Sequence, residues 1–195
     1  MAKYYFSENY KCLFNDKTIG LIDGNVNVEC VASLSKILEI KQTIDVLIFE
    51  LNAINIEGIT ALGELLKINK TIRTLNFNPT NMDNNSLNIL CGALKINETI
   101  EILHLCSNKP IFDAINTIGD LLKTNKKIQE LHIYGCIGNE GVIALNDALK
   151  TNKKIHTLYL PHNNIGDEGA IILNEILKIN ETICRLKLRG NKIDD

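Results

Sequence analysis

A phrase of 28 residues returns along this chain, and a fixed period of that length constrains the fold more than any other feature. Units begin near Thr43, Thr71, Thr99, Lys127, Lys154 and Thr182, and one of them is 27 residues long. Counting 28 back from Thr43 reaches Asn15, where Ile19, Leu21, Gly24 and Val26 fill the four template positions in worn form. The predicted array covers residues 15–195, with units starting near 15, 43, 71, 99, 127, 154 and 182, about six to seven repeats. One unit of this size cannot bury its own apolar face. Stacking like units buries a continuous core, so each layer depends on its neighbours.

Every unit has the same internal logic. A short strand turns two apolar side chains inward at i and i+2: Leu47/Phe49, Leu75/Phe77, Leu103/Leu105, Leu131/Ile133, Leu158/Leu160 and Leu186/Leu188. Three residues after the second of these come Asn52, Thr80, Asn108, Cys136, Asn163 and Asn191. A polar side chain at this point, where the chain leaves the strand, can satisfy backbone groups of its own turn and the next one. The expectation is a structural ladder of hydrogen bonds, with Thr80 serving in part and Cys136 weakly. A helix follows. In the fifth unit Asp167 and Glu168 suit its N-terminus, Leu173, Ile176 and Leu177 give an apolar face, and Lys178 suits its C-terminus. Asn180 then closes it, as Asn69, Asn97, Asn125 and Asn152 do elsewhere, a residue tolerant of a left-handed cap.

The phrase L-x-L-x-x-[NC]-x-[IL]-G-D-x-G-A fits best at Leu158–Ala170 and, with one residue deleted, at Leu131–Val142. It fits more loosely at residues 47–58 and 75–86. In the third unit Lys109-Pro110-Ile111-Phe112 replaces the usual Asn-x-Ile-Gly. On these motifs the chain resembles the leucine-rich-repeat family, specifically its ribonuclease-inhibitor-like subclass. The resemblance implies an α/β solenoid, a horseshoe segment with parallel strands on the concave face and α-helices on the convex face. It further implies a protein-binding module.

The ends depart from the period. Residues 1–14 hold Tyr4, Tyr5, Phe6, Tyr10 and Phe14, half of all the aromatics, and read as a capping segment over the first layer. The last unit stops at Asp195, where a helix would begin, leaving Leu186, Leu188 and Ile193 without a following layer. A homodimer through that C-terminal end is one alternative, and solvation by Arg185, Lys187, Arg189 and Lys192 is the other.

Composition narrows the function classes. A net charge of −2 gives no global pull toward nucleic acid or an anionic membrane. No run approaches the ~18 apolar residues of a membrane span, and the N-terminus lacks the basic-then-apolar pattern of a signal peptide. The expected location is intracellular, in the cytoplasm. The six cysteines then read as reduced thiols, most of them buried. There is no G-x-S-x-G, P-loop, H-E-x-x-H or paired Cys/His arrangement, so neither an enzyme nor a cofactor is expected.

The strand residues that face away from the core form columns. One holds Ile48, Asn76, His104, His132, Tyr159 and Lys187, and those beside it include Glu130, Arg185, Cys106, Tyr134 and Arg189. The predicted partner-binding face comprises His104, His132, Tyr134, Tyr159, His162, Arg185, Lys187 and Arg189, with Tyr134, Tyr159 and His162 at its centre, since Tyr and Arg are common interface anchors. His104, His132, Cys106 and Glu130 are metal-ligand types, but side chains standing parallel on strands do not converge on a tetrahedral centre, and no metal is expected. The function read from these residues is non-catalytic binding of an unidentified protein. Regulation of another enzyme (GTPase activation or inhibition) and self-association through the C-terminal end are the alternatives.

Overall fold

A computed structural model describes residues 11–22, 24–80, 82–107 and 114–194. In chain order the elements begin with β1 (Lys11–Phe14), β2 (Thr18–Ile22), β3 (Asn25–Val26), α1 (Val28–Ile40), β4 (Val46–Glu50), β5 (Ala53–Ile54) and α2 (Ile56–Ile68). Then come β6 (Thr74–Thr80), α3 (Asn84–Leu94), β7 (Ile102–Ser107), α4 (Ile115–Thr124), β8 (Glu130–Tyr134) and α5 (Gly138–Thr151). The last are β9 (Thr157–Tyr159), α6 (Asp167–Ile179) and β10 (Arg185–Lys187). An eight-stranded sheet runs in the order β1-β2-β4-β6-β7-β8-β9-β10. All its pairs are parallel except β1 with β2.

The register reproduces the sequence period in space. Leu47 lies beside Leu75, Leu75 beside Leu103 and Leu158 beside Leu186, each 28 residues apart, whereas Leu131 lies beside Leu158. Like side chains therefore stack. The Leu47/Phe49, Leu75/Phe77, Leu103/Leu105, Leu131/Ile133 and Leu158/Leu160 pairs are all buried, and the Phe49 and Phe77 rings stack 5.0 Å apart. Helix residues such as Leu34, Leu62, Leu90, Ile118, Leu145 and Leu173 join them in one core. Burying a side chain of this kind contributes about 1.5–3 kcal/mol. In α6, Leu173 and Ile176 are buried as expected, while Leu177 is exposed: its equivalents Leu66, Leu94, Leu122 and Leu149 are buried, but among the described residues no further helix follows α6 to cover Leu177.

Two asparagine ladders tie the layers together. At the exit of the strands, Asn52 Nδ2 donates to Leu21 O while its Oδ1 accepts from Gly24 N. Asn163 bridges to Ile133 O and Gly135 N, and Asn191 to Leu160 O and Asn163 N. The Thr80 side chain and Asn108 lie outside the described residues, as do Lys109–Phe112 and, of the capping segment, residues 1–10. Cys136 does not take the ladder position assigned to it. It is exposed at φ 53°, matching Asn164 at φ 57° one unit on. The bond from Gly135 N to Asn163 Oδ1 spans 28 residues, and that from Asn163 Nδ2 to Ile133 O spans 30 where Asn191 to Leu160 spans 31. The residue missing from this unit therefore falls between Ile133 and Gly135. Gly135 occupies the rung without a side chain to offer.

The second ladder sits at the helix ends. Asn97, Asn125, Asn152 and Asn180 are buried, and their Nδ2 groups donate to Leu66 O, Leu94 O, Leu122 O and Leu149 O of the preceding layer. Each Oδ1 accepts from backbone N–H groups two and three residues on, as in Asn125 with Lys127 and Ile128. These residues are not left-handed caps: Asn125, Asn152 and Asn180 have φ of −71°, −67° and −84° with extended ψ. Holding Oδ1 against the next two amides requires that extended turn. A related device starts α6. Its N-cap Gly166 has no side chain, and Asn139 of the preceding helix supplies the acceptor, taking Gly166 N at 2.8 Å and Gly169 N at 3.2 Å.

The cysteines depart from expectation. None of the six is in a disulfide, but only Cys30 and Cys91 are buried, while Cys12, Cys136 and Cys184 are exposed and Cys106 is intermediate. Burial pushes the Cys91 thiol up to about 12. No helix among the described residues is long and apolar enough to cross a membrane.

Candidate functional site

Strand alternation decides which side chains leave the core. With Leu131 and Ile133 inward, Glu130, His132 and Tyr134 face the other way, and the parallel register sets His132 between His104 on β7 and Tyr159 on β9. The three rings form a continuous stack. His104 and His132 have centroids 3.8 Å apart at 21°, and His132 and Tyr159 lie 4.1 Å apart at 13°. The middle ring is covered on both faces and is only 8% exposed. Its Nε2 lies 2.6 Å from Glu130 Oε1, two residues back on the same strand.

Burial, reinforced by the neighbouring His132 and opposed by Glu130, pulls the His104 imidazole down to about 4. His104 is thus neutral at pH 7. On its far side the column continues to Asn76, whose Oδ1 is buried and has no hydrogen-bond partner among the described residues. On the far side of Tyr159 the register places Lys187. Arg185 is paired in register with Thr157, and Arg185, Lys187 and Arg189 are all exposed.

The remaining expected site residues are distributed differently. Tyr134 is half-buried beside Cys106, whose thiol burial pushes up, and it takes no part in the ring stack. β9 ends at Tyr159, so β8–β9 pairing stops at His132–Tyr159 and Tyr134 has no register partner on β9. His162 is exposed at φ 53° and its ring lies over Gly190, where an added Cβ would come within 2.4 Å of it. The structure thus joins His104, His132 and Tyr159, sets Arg185 and Lys187 on the adjoining strand, places Arg189 beside His162, and leaves Tyr134 and His162 outside the stack.

The Glu130–His132 contact was missed as a pair, although i and i+2 on one strand put both on one face. The stacked geometry also disfavours metal chelation, because parallel rings do not aim two nitrogens at one point, and no group of three ligand-type residues among the described residues could hold an ion.

Parallel strands at a 28-residue offset, each followed by a helix and joined by asparagine ladders, define a leucine-rich-repeat-like fold. Solved structures agree at that level. The chain is similar to a structure titled Leiomodin-1 Actin-Binding Site 2, with 23% identity and a TM-score of 0.57 over 66% of this chain and 76% of that one. It is also similar to an internalin (inlF) from Listeria monocytogenes, with 16% identity and a TM-score of 0.50 over 92% of this chain. The match spans 43% of the internalin chain. No protein-family model matches the sequence, and no curated protein matches it.

Proposed function

We propose that this chain is a non-catalytic protein-interaction module of the ribonuclease-inhibitor-like subclass, curved so that the outward sheet face is concave and receives a protein partner. The 28-residue period with one full helix per unit supports the subclass. The observation that carries the binding reading is the His104–His132–Tyr159 stack, set beside the exposed cations of the adjoining strand. Stacked rings have few rotamers left to lose when a partner covers them, so contact there costs little ordering entropy. Large amphipathic rings and arginines are the side chains that dominate interface energetics.

The test is affinity capture from the cognate cell lysate, comparing the intact chain with a Tyr134→Ala/Tyr159→Ala double variant of matched mass and melting temperature. A partner retained by the first and lost by the second is the expected result. Equal capture by both moves the site to the helices or loops. The similar leiomodin structure is of an actin-binding site, so actin belongs among the purified baits, although a likeness at 23% identity speaks for the fold alone. A captured enzyme whose turnover changes on binding assigns the regulator role.

A further inference from the structure

Cations on the helical side of the molecule are commonly paired along their own helix: Lys67 with Glu64, Lys123 with Asp120 and Lys178 with Glu175. Arg185 and Lys187 on β10 and Arg189 in the turn after it are not. No carboxylate among the described residues pairs with Arg185, Lys187 or Arg189. Arg185 and Lys187 alternate along β10, so their stems project from one side about 6.4–6.8 Å apart, and Arg189 follows in the turn that leaves the strand. The chain as a whole carries −2, so this is a local concentration of positive charge.

The neighbouring acids on the same face are already engaged or distant. Glu130 is held by His132, and Glu50 stands on β4, five strand spacings or about 24 Å from β10. The ring stack adds to the same sign. Its inner faces are covered by one another, so what they leave to a partner along the column is ring edges, where the aromatic quadrupole is positive, and the Tyr159 hydroxyl. A nucleobase requires an open ring face to stack upon, and the inner faces are closed.

We infer that the face over β8, β9 and β10 receives an acidic peptide segment of the partner, with carboxylates against Arg185, Lys187 and Arg189 and the adjoining chain along the ring edges. This rests on the proposal that the sheet face binds protein. Carboxylates at alternate positions of an extended peptide repeat at the spacing of Arg185 and Lys187 on β10, with Arg189 at the end of that row.

The experiment is fluorescence anisotropy of the full chain with three rhodamine-labelled probes: a ten-residue alternating Glu-Ser peptide, its Lys-Ser counterpart and an oligothymidylate of ten nucleotides. The Glu-Ser peptide is expected to bind best and to weaken as salt rises. It should lose at least roughly tenfold in affinity on Arg185→Ala/Lys187→Ala/Arg189→Ala, at unchanged melting temperature. Equal binding by the Lys-Ser peptide, tighter binding by the oligonucleotide, or no loss in the triple variant overturns the inference. A captured partner that depends on Tyr134 and Tyr159 but is not displaced by the Glu-Ser peptide leaves the binding face standing and removes the acidic segment. Peptide binding through the cations, with partner capture indifferent to those tyrosines, does the reverse.

Discussion

Asn125 shows how much one side chain can do in this molecule. Its amide donates to Leu94 O at 2.7 Å and Asn97 O at 3.3 Å and accepts from Lys127 N and Ile128 N, so one buried group serves four backbone sites in two layers. The bonds to Leu94 O, Asn97 O and Ile128 N are buried, and each buried group left unpaired costs about 1–3 kcal/mol. Asn125→Ala is therefore expected to destabilise the chain by about 2–4 kcal/mol, measured by urea unfolding. Asn125→Asp keeps the acceptor and loses the donor, so it should fall between alanine and wild type only if the Leu94 carbonyl finds another partner. Glycine has an equally local meaning at Gly58, where an added Cβ would lie 2.0 Å from Val26 O. There the absence of a side chain lets the turn of the preceding layer sit directly on the start of α2.

At the level of elements, the three stacked strands β7, β8 and β9 carry a pH dependence. His104 has a folded-state value of about 4, well below the ordinary value near 6.5, with His132 and Glu130 the titratable groups facing it. Between those values the unfolded chain binds a proton that the folded chain does not. Stability is then complete above the ordinary value and declines as pH falls through that window. Wild type should lose more in melting temperature between pH 7 and pH 4.5 than His104→Gln does, as read by thermal denaturation at several pH values. An equal loss in both would place the acid sensitivity elsewhere. The strand periodicity alone put His104, His132 and Tyr159 in one column. Their stacking was not legible, because it depends on the spacing between strands and on rotamers that a list of columns does not contain.

For the whole molecule, the sequence period was enough to read the parallel strands, the alternating helices and the inward Leu, Ile and Phe pairs, since period and alternation follow from backbone geometry. It was not enough to place the missing residue of the 27-residue unit. Tyr134-Gly135-Cys136-Ile137 can be aligned with its neighbours in two ways, and only the bond from Gly135 N to Asn163 decides between them. The helix-end asparagines were visible as a recurring letter and misread as caps, because a ladder joins residues 28–31 apart and is invisible within any one turn. The same ladders have a direction. Asn97, Asn125, Asn152 and Asn180 all donate backwards, to carbonyls of the layer that precedes them. A chain cut after Glu181 keeps every one of those bonds, whereas a chain begun at Thr71 strips Asn97 of its acceptor Leu66. Far-UV circular dichroism should show the first truncation folded and the second reduced in helix. On the ribosome, where the amino end emerges first, each layer that carries one of these four asparagines meets a template whose carbonyls are already synthesised, so synthesis and assembly run in the same direction.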